Sequence, residues 1–263
     1  IGNLQLTVNG VSAENILNSF PSSSLQARFS NPFPKNKSVT VELKDIEDLS
    51  GNRTSLSRYN WFNIQFDSAL FGDIILTEIM SIPSPVVSGL PNNEFVEIYN
   101  RSAKYIDLSQ YTFSDATNTV DMPEISLKPF SYAILSHEDD TMSKYGQWIP
   151  LSSFPSLNND GDQISIKTAS GNIIHQVNYK SDWHENALKK QGGWSLEMID
   201  TQKFCLGANN WTSNQNSGGS PGTLNTANGS IVIEADFTIE STFVKDGKIH
   251  VLFNENSSDC SSC

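Results

Sequence analysis

Gly72-Asp73-Ile74-Ile75-Leu76-Thr77-Glu78-Ile79-Met80, then a proline-bearing loop, then Asn93-Glu94-Phe95-Val96-Glu97-Ile98-Tyr99-Asn100: this stretch opens the central region of the chain. Ile74-Ile75-Leu76 is a short apolar run of strand length. Working outward, brief alternating segments recur at Leu4-Gln5-Leu6-Thr7-Val8, Ser38-Val39-Thr40-Val41-Glu42-Leu43 and Gln163-Ile164-Ser165-Ile166-Lys167. Turns rich in Gly, Asn, Asp and Pro separate them, which is the pattern of an all-β sandwich. Ser170-Gly171-Asn172 predicts a hairpin between Ile164 and Val177, and Lys245-Asp246-Gly247-Lys248 predicts a second with a two-residue turn. Helical periodicity is nearly absent. A turn at Ala13 to Asn18 and a surface segment at Glu138 to Tyr145 are the helix candidates.

Three regions follow from this reading: residues 1–70, 71–228 and 229–263. The second ends in Ser217-Gly218-Gly219-Ser220-Pro221-Gly222, which cannot hold a regular strand for long.

The 263 residues carry 17 Lys and Arg against 29 Asp and Glu, a formal net charge of −12. That balance argues against nucleic acid as a partner, because phosphate recognition needs a cationic surface. Hydrophobic residues make up 37% of the chain, enough for packed cores. No apolar run approaches the roughly 18 residues of a membrane span, so direct membrane insertion is not expected. Cys260 and Cys263 form a C-x-x-C without the helix or the further ligands that redox or zinc chemistry needs. With Cys205 the cysteines number three, which argues against a disulfide framework.

Glu78, Glu94 and Glu97 are the acids best suited to acid/base work or to holding a divalent ion. On a strand, Glu97 shares the face of Phe95 while Glu94 takes the opposite one, so Glu94 and Glu97 are not neighbours. Asn158-Asn159-Asp160-Gly161-Asp162 looks like the start of a calcium loop, making Asp160 and Asp162 weak metal candidates. Lys167 stands where an EF-hand needs a bidentate Glu, so a tight turn around Gly161 is expected, with no cofactor and no calcium requirement. Asp182-Trp183-His184-Glu185 is the densest ionisable cluster, yet no further His or Cys lies at metal or catalytic spacing. No G-x-S-x-G elbow, Walker loop or G-x-G-x-x-G is present. Tyr145, Trp148, Trp183 and His184 sit in or beside turn-rich segments, where aromatics stack on sugars or anchor a protein partner.

The ordered series from Gly72 continues through Ile106-Asp107-Leu108-Ser109-Gln110-Tyr111-Thr112-Phe113-Ser114-Asp115, Gly193-Trp194-Ser195-Leu196-Glu197, Asn210-Trp211 and Gly219-Ser220-Pro221-Gly222. It resembles the bacterial lamin tail domain, an Ig-like β-sandwich of surface and secreted proteins. Residues 36–66, with Asp48-Leu49-Ser50-Gly51-Asn52, and residues 239–255 resemble parts of bacterial Ig-like modules.

The resemblance implies an all-β chain: a lamin-tail sandwich, plus a partial Ig-like sandwich formed by the N- and C-terminal flanks. It also implies that Glu78, Glu94 and Glu97, which match the motif, bond loop backbone amides. Residues 229–263 would supply opening strands that complete 1–70, within one chain or by strand exchange with another copy. The implied role is a non-catalytic spacer or interaction module, outside the cell, on its outer surface or in the periplasm of a bacterium, with a protein or glycan as partner. The alternative is an accessory domain of a secreted hydrolase such as a nuclease or phosphatase.

Overall fold

The computed structural model describes residues 4–17, 24–140, 142–216, 218–232 and 239–253. The chain divides into two compact units, Ile1–Phe66 and Asp67–Cys263.

The first unit holds β1 (Gln5–Val8), β2 (Val11–Ser12), β3 (Asn15–Ile16), β4 (Ala27–Arg28), β5 (Lys37–Lys44), β6 (Ile46–Glu47), β7 (Arg53–Thr54) and β8 (Ser57–Asn63). Its main sheet runs β2-β1-β5-β8, with β3-β4 and β6-β7 as separate short ladders. The alternation at Ser38–Leu43 places Val39 in full burial while its neighbours stay partly exposed. The helical turn expected at Ala13–Asn18 is corrected here. Asn15 and Ile16 form a strand paired with Arg28 and Ala27, because the β partner outweighs a weak local preference; Asn18 lies outside the described residues.

The second unit begins with β9 (Ile74–Met80), β10 (Phe95–Asn100), β11 (Ile106–Asp107), β12 (Tyr111–Ser114), β13 (Thr119–Asp121), β14 (Ser126–Leu127), β15 (Tyr132–His137) and β16 (Trp148–Leu151). It continues with β17 (Gly161–Thr168), β18 (Ile173–Lys180), β19 (Leu196–Met198) and β20 (Trp211–Ser213). A six-stranded sheet, β16-β15-β10-β9-β19-β20, packs on a four-stranded one, β13-β12-β17-β18. Ile74, Ile98 and Leu135 from the first meet Phe113, Ile164 and Ile166 from the second in one core. Every residue of β9 is buried: Ile74, Ile75, Leu76 and Ile79 join this core, Met80 packs with Phe95, Ile134 and Met142, and Glu78 is covered by Ser195 and Ser220. A strand covered on both faces needs no polar alternation, which explains Ile74-Ile75-Leu76. The ladder between β9 and β10 slips at Glu97, leaving Thr77 as the extra residue of a bulge. Residues 138–140 and 142–145 make turns and bends, not the helix considered from sequence.

Both hairpins form where the turn residues place them. The second joins β21 (Ile239–Lys245) to β22 (Lys248–Phe253). Asp246 and Gly247 both adopt positive φ, 52° and 71°, the geometry that suits the strand twist. Sequence reading expects these strands to complete the sheet of residues 1–70. Here the hairpin is a two-stranded sheet by itself, because the tight turn satisfies the ladder locally. A second correction concerns the cysteines: Cys205 is disulfide-bonded, while Cys260 and Cys263 lie outside the described residues.

Candidate functional site

The central strands bring three glutamates side by side. Glu97 on β10 lies opposite Glu78 on β9, and Glu78 lies opposite Glu197 on β19. All three are fully buried, under residues 214–216 and 218–227. Glu78 Oε1 accepts from Ser195 Oγ at 2.6 Å and from the Ser220 amide at 2.8 Å. Glu97 accepts from Thr77 Oγ1 at 2.8 Å and from the Gly222 amide at 2.7 Å. Glu197 accepts from Asn214 Nδ2, Ser220 Oγ, Thr226 Oγ1 and the Ala227 amide, at 2.5–2.9 Å. Asn225 ties the same loop down by donating to the Thr77 and Met198 carbonyls. Gly222, at φ 79°, comes so close to the Tyr145 carbonyl that a Cβ there would stand 2.2 Å from its oxygen.

The electrostatics follow from burial. Desolvation, and then the Glu197 carboxyl, push Glu78 up to about 8. Desolvation and then Glu78 raise Glu97 well above the carboxylate range. Among the described residues no group of three or more His, Cys, Asp or Glu is arranged to hold a metal ion. The trio therefore works as a set of acceptors for a loop. Sequence reading finds Glu78 and Glu97 in that role but misses Glu197. The available signal is a lone acid between Leu196 and Met198, upstream of an uncharged Gly-Ser-Pro-Gly stretch.

Glu94 faces elsewhere, as strand alternation requires. Its Oε2 accepts from the Leu157 amide at 3.0 Å, and half-burial raises its pKa against that bond. It lines a polar cleft with Ser156, Asn158 and Asp160. In the turn beside it, Asp162 takes the Gln163 amide on Oδ1 and Asn158 Nδ2 on Oδ2. Gly161, at φ 144°, would place a Cβ 2.6 Å from the Tyr179 carbonyl oxygen, so the turn demands glycine.

The four candidate binding residues fall in different settings. Trp183 sits on the 3-10 turn Ser181–His184 with its ring 6.0 Å from that of buried Trp211. Together with Asp182, Glu185, Asn209 and Thr212 these rings line an open groove of about 410 Å³. Asp182 is 80% exposed and pairs with Lys190, whose hydrogen bond holds the carboxyl below its usual range. His184 points inward. Ser213 Oγ donates to the His184 carbonyl, which leaves Nδ1 to donate to Ser213 Oγ at 2.9 Å. Burial, then Lys189 and Lys190, lowers its imidazole to about 4. Trp148 donates Nε1 to Ser136 Oγ at 2.9 Å and packs with Tyr145 on Met80, Phe95, Ile134 and Met142. Only Trp183 of the four lines the groove.

Residues 68–181 match the family model of the Lamin Tail Domain. No curated protein and no solved structure matches the chain. The matched stretch carries β9 to β18. Strand β19, Glu197 and the covering loop lie beyond it, yet they pair with β9 and finish the same sheet.

Proposed function

Taking the lamin tail match as the premise, we propose that this chain is a non-catalytic spacer and interaction module of a bacterial multidomain protein, placed outside the cell or on its surface. The observation that carries the reading is how the buried acids are spent. Glu78, Glu97 and Glu197 direct their oxygens at the amides and hydroxyls of one loop, so they close the sandwich and present nothing to a substrate. The groove beside Trp183 is the surface offered to a partner, a glycan or a protein segment, through one aromatic platform rimmed by Asp182, Glu185, Asn209 and Thr212. The disulfide of Cys205 supports an oxidising compartment. Residues 1–66 and the hairpin Ile239–Phe253 are read as pieces of Ig-like modules, with the edge strand β8 available for strand exchange with another copy.

The test is a binding screen of the purified chain against glycan and protein arrays, run beside Trp183→Ala and beside assays on phosphodiester, ester and glycoside substrates. Binding that disappears in Trp183→Ala with an unchanged melting temperature supports the reading. Metal-dependent turnover abolished by Asp182→Ala or His184→Ala would overturn it in favour of an enzyme.

A further inference from the structure

The glutamate trio contains more negative charge than its surroundings can serve. Residues opposed across antiparallel strands hold their Cβ atoms about 4.5–5.5 Å apart, and two such pairs share Glu78. Residues 213–229, which supply the cover, include no charged side chain. Two cations beside the cover act elsewhere: Lys189 Nζ donates to the Asn214 carbonyl, and Lys144 lies over the Tyr145 ring. From β10 and β15 the titratable neighbours are Tyr99 and Tyr132, stacked on each other. Tyr132 is raised by burial and then by Glu97. From the turn before β16 comes Tyr145, whose buried hydroxyl has no partner. None of the ion pairs among the described residues includes a member of the trio.

The donors are shared unequally. Glu197 receives four and Glu97 two, but Glu78 Oε2 is buried with no partner at all. Three carboxyls without a cation cannot all ionise in a dry site. A proton on Glu78 Oε2 turns the orphan oxygen into a donor towards a neighbouring carboxylate. We propose that Glu78 and Glu97, flanked by Glu197, share a proton at neutral pH and form a pH-sensitive latch, holding residues 218–227 closed until mild alkali removes that proton. The loop gives way rather than the strands, because residues 218–227 belong to no ladder and their opening admits water to the carboxylates at least cost. The elevated values of Glu78 and Glu97 agree with this placement of the proton.

The experiment follows backbone amide exchange in the whole chain at about pH 6 and about pH 9, corrected for intrinsic chemistry, with ¹³C carboxyl resonances titrated alongside. Protection at Ser220, Gly222 and Ala227 is expected to fall roughly tenfold or more across that range, while Ile98 in β10 keeps its protection. Glu78→Gln supplies a permanent N–H donor in place of the proton and should keep the three loop amides protected at the higher pH. The wild-type titration decides even if that variant fails to fold. Constant loop protection, or Glu78 and Glu97 both titrating below about pH 5, overturns the proposal.

Discussion

The two units use the same strand grammar and reach different ends. In the first, Val8 and Val39 are the only buried hydrophobic residues among those described, and the edge strand β8 leaves Tyr59 65% and Phe62 44% exposed. In the second, residues from both sheets interlock in one core that holds Ile74, Phe113 and Ile164 at zero exposure. Charge divides as well. Residues 1–66 carry six cations and five acids, so the net −12 of the chain resides in the second unit. Alternation tells a chain where to be a strand; only a second layer decides whether that strand earns burial. The second unit buries Glu78, Glu97 and Glu197 and must satisfy them, whereas the first buries none of its five acids.

The largest expected contrast lies between two glutamates on strands. Glu197→Ala strips four donors of their acceptor in a sealed site, and leaving buried donors unpaired should cost the second unit roughly 3 kcal/mol or more. Glu42 on β5 pairs with Arg58, whose side chain is 63% exposed. An exposed pair of this kind contributes about 1 kcal/mol at most, so Glu42→Ala should barely move the first unit. Denaturant unfolding read by circular dichroism and tryptophan fluorescence checks both. Equal costs would break the comparison.

Glu197 also marks the limit of what the sequence discloses. Strands, both hairpin turns and the ordered motifs from Gly72 onward were legible because they are local: alternation, glycine at positive φ, one short pattern after another. Glu78, Glu94 and Glu97 were legible as amide anchors only through the lamin-tail motif they match; local alternation said no more than that Glu94 and Glu97 take opposite faces. That Glu197 joins them depends on β19 pairing with β9 across the length of the domain, a tertiary fact with no local signature. That the first unit buries only Val8 and Val39 among its described hydrophobic residues, and that the hairpin Ile239–Phe253 pairs within itself, was likewise hidden, since periodicity reports which face is apolar and not what covers it. Of the four residues put forward for binding, composition of the turns could not separate half-buried Trp183, which packs on the core and lines the groove, from buried His184.

A pH profile sharpens the contrast at intermediate size. Burial lowers His175 from 6.5 to about 4, and His184 falls to about 4 as well. Between those values the unfolded chain takes up protons that the fold refuses, so this stability is present above pH 6.5 and lost as pH falls towards 4. Glu78 runs the other way. Its folded value, about 8, lies above the ordinary 4.5, so its contribution is whole below 4.5 and lost as pH rises through 8. The two oppose each other from 4.5 to 6.5, giving a shallow profile, and above 6.5 the carboxyl effect alone remains. The second unit should lose on the order of 2 kcal/mol between pH 6.5 and 9, and Glu78→Gln should remove most of that loss. Residues 1–66 contain no histidine, so the first unit should show neither limb. Melting curves across pH test this, and a wild-type profile that rises above pH 6.5 would contradict the sign.

The smallest expected effect concerns calcium, and here the two units should behave alike. Each has an Asp-rich turn whose carboxylate is already engaged by its own loop. In the first, Asp48 Oδ1 takes the Ser50 and Asn52 amides at 2.8 and 2.9 Å, and Oδ2 takes Asn52 Nδ2 at 2.8 Å. In the second, Asp162 serves Gln163 and Asn158, and the Asp160 carbonyl accepts from the Ser181 amide. Calcium asks for six to eight oxygens at once, and drawing Asp162 towards an ion would break the turn that positions β17. Binding that must first undo such bonds is weak. At ~1 mM calcium the added stability, RT ln(1 + [L]/Kd), should stay well under ~1 kcal/mol for either unit. Calorimetry with and without the ion decides the matter: a large shift confined to the second unit and lost in Asp160→Asn would mean that its turn is a metal loop, and that the likeness between the two turns is only one of sequence.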